Sequence, residues 1–163
     1  MKKLIAFLLT AILAVLIIGI VLIVNDDFEQ DLSFYLNVQL YNLFFVEDLE
    51  VATDELSDYY TEIGNYLEDK NYSIEDIEFN KHYEDTQILI EDLQMRLATI
   101  ELDNEEIIEI NALLIEALNS MEVGSVILFN AYINRNRDEF EIAGEQLNQA
   151  YDYVEYWYSS ITD

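Results

Sequence analysis

The chain has 163 residues, with 34 Asp/Glu against 7 Lys/Arg, a net charge of −27, one histidine and neither cysteine nor proline. A surface this acidic repels polyphosphates and anionic headgroups, which rules out DNA and RNA as partners. Cysteine and histidine are too few for a zinc site, a di-iron bundle or a nucleophile triad, and no Gly-rich phosphate loop or glycine-centred calcium loop is present.

The first element is the uncharged run Leu4 to Val24. At ~1.5 Å per residue a helix of this length covers about 30 Å, the hydrocarbon thickness of a bilayer. It is therefore predicted to be a transmembrane helix. Lys2 and Lys3 precede it, while Ile17, Ile18 and Ile20 to Val24 crowd its exit with no Ala-x-Ala. That pattern favours a retained signal anchor, with cleavage after Ala14 or Gly19 as the alternative. The lysines hold the short end in the cytoplasm, so the chain from Asn25 onward is predicted to be extracytoplasmic and the protein a single-pass protein of the cell membrane. The expected organisation is an anchor over residues 1–25 and an acidic helical domain over 26–163. That domain has five Lys/Arg against 34 Asp/Glu, a net of −29.

No linker, low-complexity stretch or repeat divides residues 26–163, and helix punctuation gives four helices. The first is predicted from about Asp26 to Asp69. Leu32 to Val46 is uncharged and rich in aromatics, which suits a buried central helix or one resting partly on the bilayer surface. Further on, Leu49, Thr53, Leu56, Tyr60, Ile63 and Leu67 form a seam in alternating steps of four and three. Ser73 and Asp76 resemble a capping box for the second helix, whose seam is Phe79, Tyr83, Thr86, Ile90, Leu93, Leu97 and Ile100. Asp103-Asn104-Glu105-Glu106 opens the third helix, where oxygens and carboxylates meet the free amides of the first turn.

The third helix is predicted to reach about Asn134 along Ile107, Ile110, Leu114, Ala117, Met121, Gly124, Leu128 and Ala131. From Val123 to Phe129 it is apolar on nearly all sides, as in a bundle centre or a dimer contact. Gly124-Ser125 either bends the helix or permits close approach. Asp138 and Glu141 are predicted to open the fourth helix, with the seam Phe140, Ala143, Leu147, Ala150, Val154, Trp157 and Ile161. Short connections force antiparallel neighbours, so the expected fold is all-α: one transmembrane helix followed by an up-down-up-down four-helix bundle.

No residue set points to catalysis or to a cofactor. Glu78 and His82 share a helix face, which reads as an exposed pair more readily than as metal ligands. Asp26, Asp27, Glu29 and Asp31 could attract divalent cations weakly. The remaining unusual feature is aromatic: Tyr151, Tyr153, Tyr156, Trp157 and Tyr158 crowd the end of the fourth helix, and Tyr59, Tyr60 and Tyr66 the end of the first. Tyrosine joins apolar area to a polar tip, so the group at 151–158 is a candidate docking patch as well as a packing element. The expected function is a non-enzymatic interaction or accessory module that binds a protein partner or itself. An extracytoplasmic ligand or cation sensor is a second reading, and a carboxylate hydrolase a third.

Overall fold

The computed structural model describes residues 34–41, 43–69, 76–100 and 105–162, with side chains in the second of the long helices from Phe79 onward. The span Leu4 to Val24, the acids Asp26, Asp27, Glu29 and Asp31, and residues 70–75 and 101–104 with the predicted cap Ser73 lie outside the described residues. Among the described residues all regular structure is helical, with no strand. A leading helical segment (34–41 and 43–44) is followed by α1 (Val46–Glu68), α2 (Asp76–Leu97), α3 (Glu105–Asn134) and α4 (Arg137–Thr162).

Phe45 separates the leading segment from α1, so the predicted uninterrupted helix to Asp69 is corrected to two pieces. Its backbone leaves the helical region at φ −127° and ψ −35°. Hydrogen bonds from Phe45 N to Tyr41 O (2.9 Å) and from Leu49 N to Phe45 O (2.8 Å) nevertheless carry the ladder across. Arg96 of α2 braces this junction, donating from Nη1 to Phe44 O at 2.6 Å and from Nη2 to Asp48 at 2.5 Å.

Side-chain pairings fix the directions. Along α1 and α2, Asp48 meets Arg96 and Tyr59 meets Phe79; along α2 and α3, Gln94 meets Glu122 and Tyr83 meets Phe129. Both pairs run antiparallel. In α4, Leu147 lies against Gly124 of α3, while Phe140 and Tyr151 reach Gly64 and Thr53 of α1, so α4 is antiparallel to both. The leading segment, the end of α2, the start of α3 and the end of α4 therefore share one end of the body. Tyr41 marks it, with its hydroxyl on Asn111 and its ring edge-on to Trp157.

The core is built from the predicted stripes, with one shift. In α2, α3 and α4 the predicted seams are buried apart from Tyr83, Ile100, Phe140 and Val154, which are half-buried against the core. In α1 the buried line is Leu49, Ala52, Leu56, Tyr59 and Ile63, so Thr53, Tyr60 and Leu67 flank the seam rather than form it. Each large side chain removed from water contributes roughly 1.5–3 kcal/mol, which favours this register over its neighbours.

The α3–α4 corner is tight. Arg135 takes the left-handed conformation at φ 48°. Asn136 N then bonds to Ala131 O at 2.9 Å and Arg135 N to Tyr132 O at 3.3 Å, the pattern of a Schellman stop. Asn136 Oδ1 accepts from the amides of Asp138 (3.0 Å) and Glu139 (3.4 Å). The cap of α4 is thus Asn136 rather than the predicted Asp138.

Candidate interaction surface

The predicted aromatic patch divides by depth. Trp157 is 0% exposed and belongs to the core against Tyr41. Tyr151 is half-buried and donates from its hydroxyl to Thr53 O at 3.1 Å, tying α4 to α1. Tyr153 is half-buried beside Gln149, whose Nε2 donates to its hydroxyl at 3.3 Å. Tyr156 and Tyr158 are 64% and 46% exposed and are the members of the group that face water.

Tyr59, Tyr60 and Tyr66 meet aromatics from other helices instead. Tyr59 stacks on Phe79 at 4.4 Å, Tyr60 on Phe140 at 4.3 Å, and Tyr66 packs on Tyr132 at 5.2 Å. Arg135 closes this end, with its guanidinium 4.8 Å from the Tyr66 ring and its Nε donating to the Tyr66 hydroxyl at 2.6 Å. Burial pushes the Tyr59, Tyr60 and Tyr83 hydroxyls up from the ordinary phenol value, because the ionised form would sit in apolar surroundings beside carboxylates.

His82 pairs across helices with Glu55 of α1 and lies edge-on to Tyr59. The Glu78 side chain lies outside the described ones. No group of three or more His, Asp or Glu that could hold a metal ion occurs among the described residues.

The feature that the single predicted seam captured only at Val123 to Phe129 is the outer side of α3. This helix carries a buried stripe and a second, solvent-facing one. Ile108, Ile115, Val123, Val126 and Ile133 are all at least 40% exposed, with Ala112 among them. They recur at steps of three and four along about 38 Å of helix, and the polar positions on the same line are the amides Asn119 and Asn130. Of the two readings of Val123 to Phe129, bundle centre or dimer contact, the bundle covers only part of the patch: Ser125 and Leu128 are buried, while Val123 and Val126 face water. The α3 acids Glu109, Glu116 and Glu122 stand to either side, and Glu122 accepts from Gln94 Nε2 at 2.9 Å. Among the described residues α3 is the one helix long and apolar enough to cross a membrane, a test that a core helix also passes; 44% of its apolar window is buried against its neighbours.

Gly124 settles the choice between bend and close approach. A β-carbon there would stand 2.8 Å from Leu147 Cδ2, and the helix continues unbroken to Asn134. Two apolar clefts flank the end of α2. One of about 560 Å³ is lined by Leu97, Ile100, Asn111, Ile115, Leu118 and Asn119, and so opens beside the outer α3 stripe. The other, about 470 Å³, lies between Leu40, Phe44 and Arg96. The leading segment adds exposed Tyr35, Leu36 and Leu43 at the same end.

Comparison with known protein families, curated proteins and solved structures gives no match to this chain.

Proposed function

We propose that this protein is a membrane-tethered, non-enzymatic interaction module: an up-down-up-down four-helix bundle held outside the cytoplasm by a transmembrane helix over Leu4 to Val24. The observation that carries the reading is the outer stripe of α3. Soluble surfaces of strongly acidic proteins place charge outward, yet here an uncharged apolar line runs the length of the longest described helix. Exposed apolar lines of this kind are the anchors of helix-to-helix recognition. Tyr156 and Tyr158 extend the apolar surface on α4.

The test uses the full chain solubilised from its own membranes in mild detergent. A complex heavier than the monomer is expected, and Ile115→Asp with Val126→Asp should dissolve it while helicity and melting stay unchanged. Retention of the complex in that doubly substituted protein sinks the reading. A reporter fused after Asp163 should be active outside the cytoplasm; activity inside overturns the topology. The cleft of about 560 Å³ beside α2 favours ligand sensing as a second reading. Under that reading, filling the cleft with Ala98→Phe abolishes a small-molecule-induced melting shift and leaves the complex intact.

A further inference from the structure

We infer that the cleft between the end of α2 and the first half of α3 binds an uncharged, largely apolar small molecule whose carbonyl oxygen accepts from the side-chain amide of Asn111. This rests on the ligand-sensing reading above and adds the chemistry of the ligand and the residue that selects it.

Asn111 is 8% exposed, lines the cleft and accepts from the Tyr41 hydroxyl through Oδ1 at 2.7 Å. That bond fixes which way the amide faces. Its oxygen is engaged by Tyr41, and Nδ2 with its two N–H donors is left over. Nδ2 bonds to none of the described residues, yet it is not sealed from solvent as Trp157 Nε1 and the Tyr59 hydroxyl are. It therefore opens on the cleft. Buried donors in folded chains are satisfied as a rule, and one left open at a cleft is met by water or by the acceptor of a bound molecule.

The rest of the lining sets the class of that molecule. Leu97 and Leu118 are buried at the floor, while Ala98 and Ile115 are exposed at the rim, where Gln94 Nε2 donates to Asn119 Oδ1 at 3.4 Å. No described lining residue is charged, in a chain where a quarter of all residues are. An anion would find no cation there and would enter against a net charge of −27, and a cation would find no carboxylate. A neutral apolar body suits the walls, and the volume of about 560 Å³ is that of a small-molecule site. Because Nδ2 only donates, the ligand must accept. A carbonyl does so without bringing a donor of its own that the apolar floor would leave unpaired.

The test titrates the full chain in mild detergent with benzophenone and with diphenylmethane, which keeps both rings but has a methylene in place of the carbonyl. A saturable melting shift is read at matched free concentration. Benzophenone is expected to bind about three- to tenfold more tightly, the contribution of one hydrogen bond. Asn111→Asp keeps an oxygen for Tyr41 but removes the N–H donor, so it should abolish that preference while diphenylmethane still binds. If that variant does not fold, the two probes on the unsubstituted chain decide alone. Equal or weaker binding of benzophenone overturns the carbonyl assignment; loss of both probes in Ala98→Phe then leaves the cleft standing as a ligand site. Binding of neither probe overturns the inference, and ligand sensing is judged separately by its own melting test. 4-Benzoylbenzoate, the same frame with a carboxylate, should bind more weakly than benzophenone; equal or tighter binding overturns the uncharged class.

Discussion

At the scale of single residues, Tyr41 does the most to join the leading segment to the body. Its ring is fully buried edge-on to Trp157, and its hydroxyl donates to Asn111 Oδ1 at 2.7 Å. Tyr41→Phe keeps the ring but leaves a buried amide oxygen without its donor, so a loss of about 1–3 kcal/mol is expected in chemical denaturation. The same burial pushes the Tyr41 hydroxyl from 10.0 up to about 12, because a phenolate there would be desolvated. The folded chain then holds its proton where the unfolded chain has released it. Stability is complete below pH about 10 and is lost as pH rises from there towards 12, by up to ~1.4 kcal/mol per pH unit for each such tyrosine. Tyr59, Tyr60, Tyr83 and Tyr151 are raised by burial too and act with the same sign. Melting followed from pH 8 to pH 12 should show this alkaline fall, and Tyr41→Phe should make it shallower.

Among the elements, the contact of α3 with α4 is set by Gly124. Alanine there gains helix propensity of about 1 kcal/mol but drives a methyl into Leu147 Cδ2 at 2.8 Å and Cγ at 3.0 Å, with Gln146 Cβ at 3.3 Å behind them. Overpacking of this kind costs roughly 1–3 kcal/mol, so a net loss is expected for Gly124→Ala, read as a lower melting temperature. The seam beginning at Phe79 was legible because phenylalanine, isoleucine and leucine recur there in steps that only one helix face satisfies. The α4 cap was not. Choosing Asn136 over Asp138 depends on Arg135 adopting a left-handed backbone, and arginine announces no such preference. The outer α3 stripe was legible only in part, as a choice between a bundle centre and a dimer contact at Val123 to Phe129. Periodicity tells which positions share a face, but the apolar excess from Val123 to Phe129 looks the same whether a neighbouring helix, a second chain or water lies over it. Trp157 and Tyr156 show the same gap at the candidate patch, adjacent in sequence yet turned to core and to solvent.

For the whole molecule the dominant force left after packing is self-repulsion. The ion pairs among the described residues gather on few cations: Arg96 with Asp48 and Asp92, Arg137 with Glu68 and Glu141, and His82 with Glu55. With 7 Lys/Arg against 34 Asp/Glu, cations are too few to neutralise most of the carboxylates. Screening shortens that repulsion to about 10 Å at 0.1 M salt and about 3 Å at 1 M, so the melting temperature is expected to climb with sodium chloride over this range. Divalent cations test whether the acidity is diffuse or gathered into a site. With no cluster of three or more ligating side chains among the described residues, calcium and magnesium should raise melting equally at matched ionic strength. A shift that saturates near one calcium per chain, absent with magnesium, would instead assign a defined site. The segment holding Asp26, Asp27, Glu29 and Asp31 is then the place to look, and Asp27→Asn with Asp31→Asn should erase the calcium-specific part while leaving the sodium response unchanged.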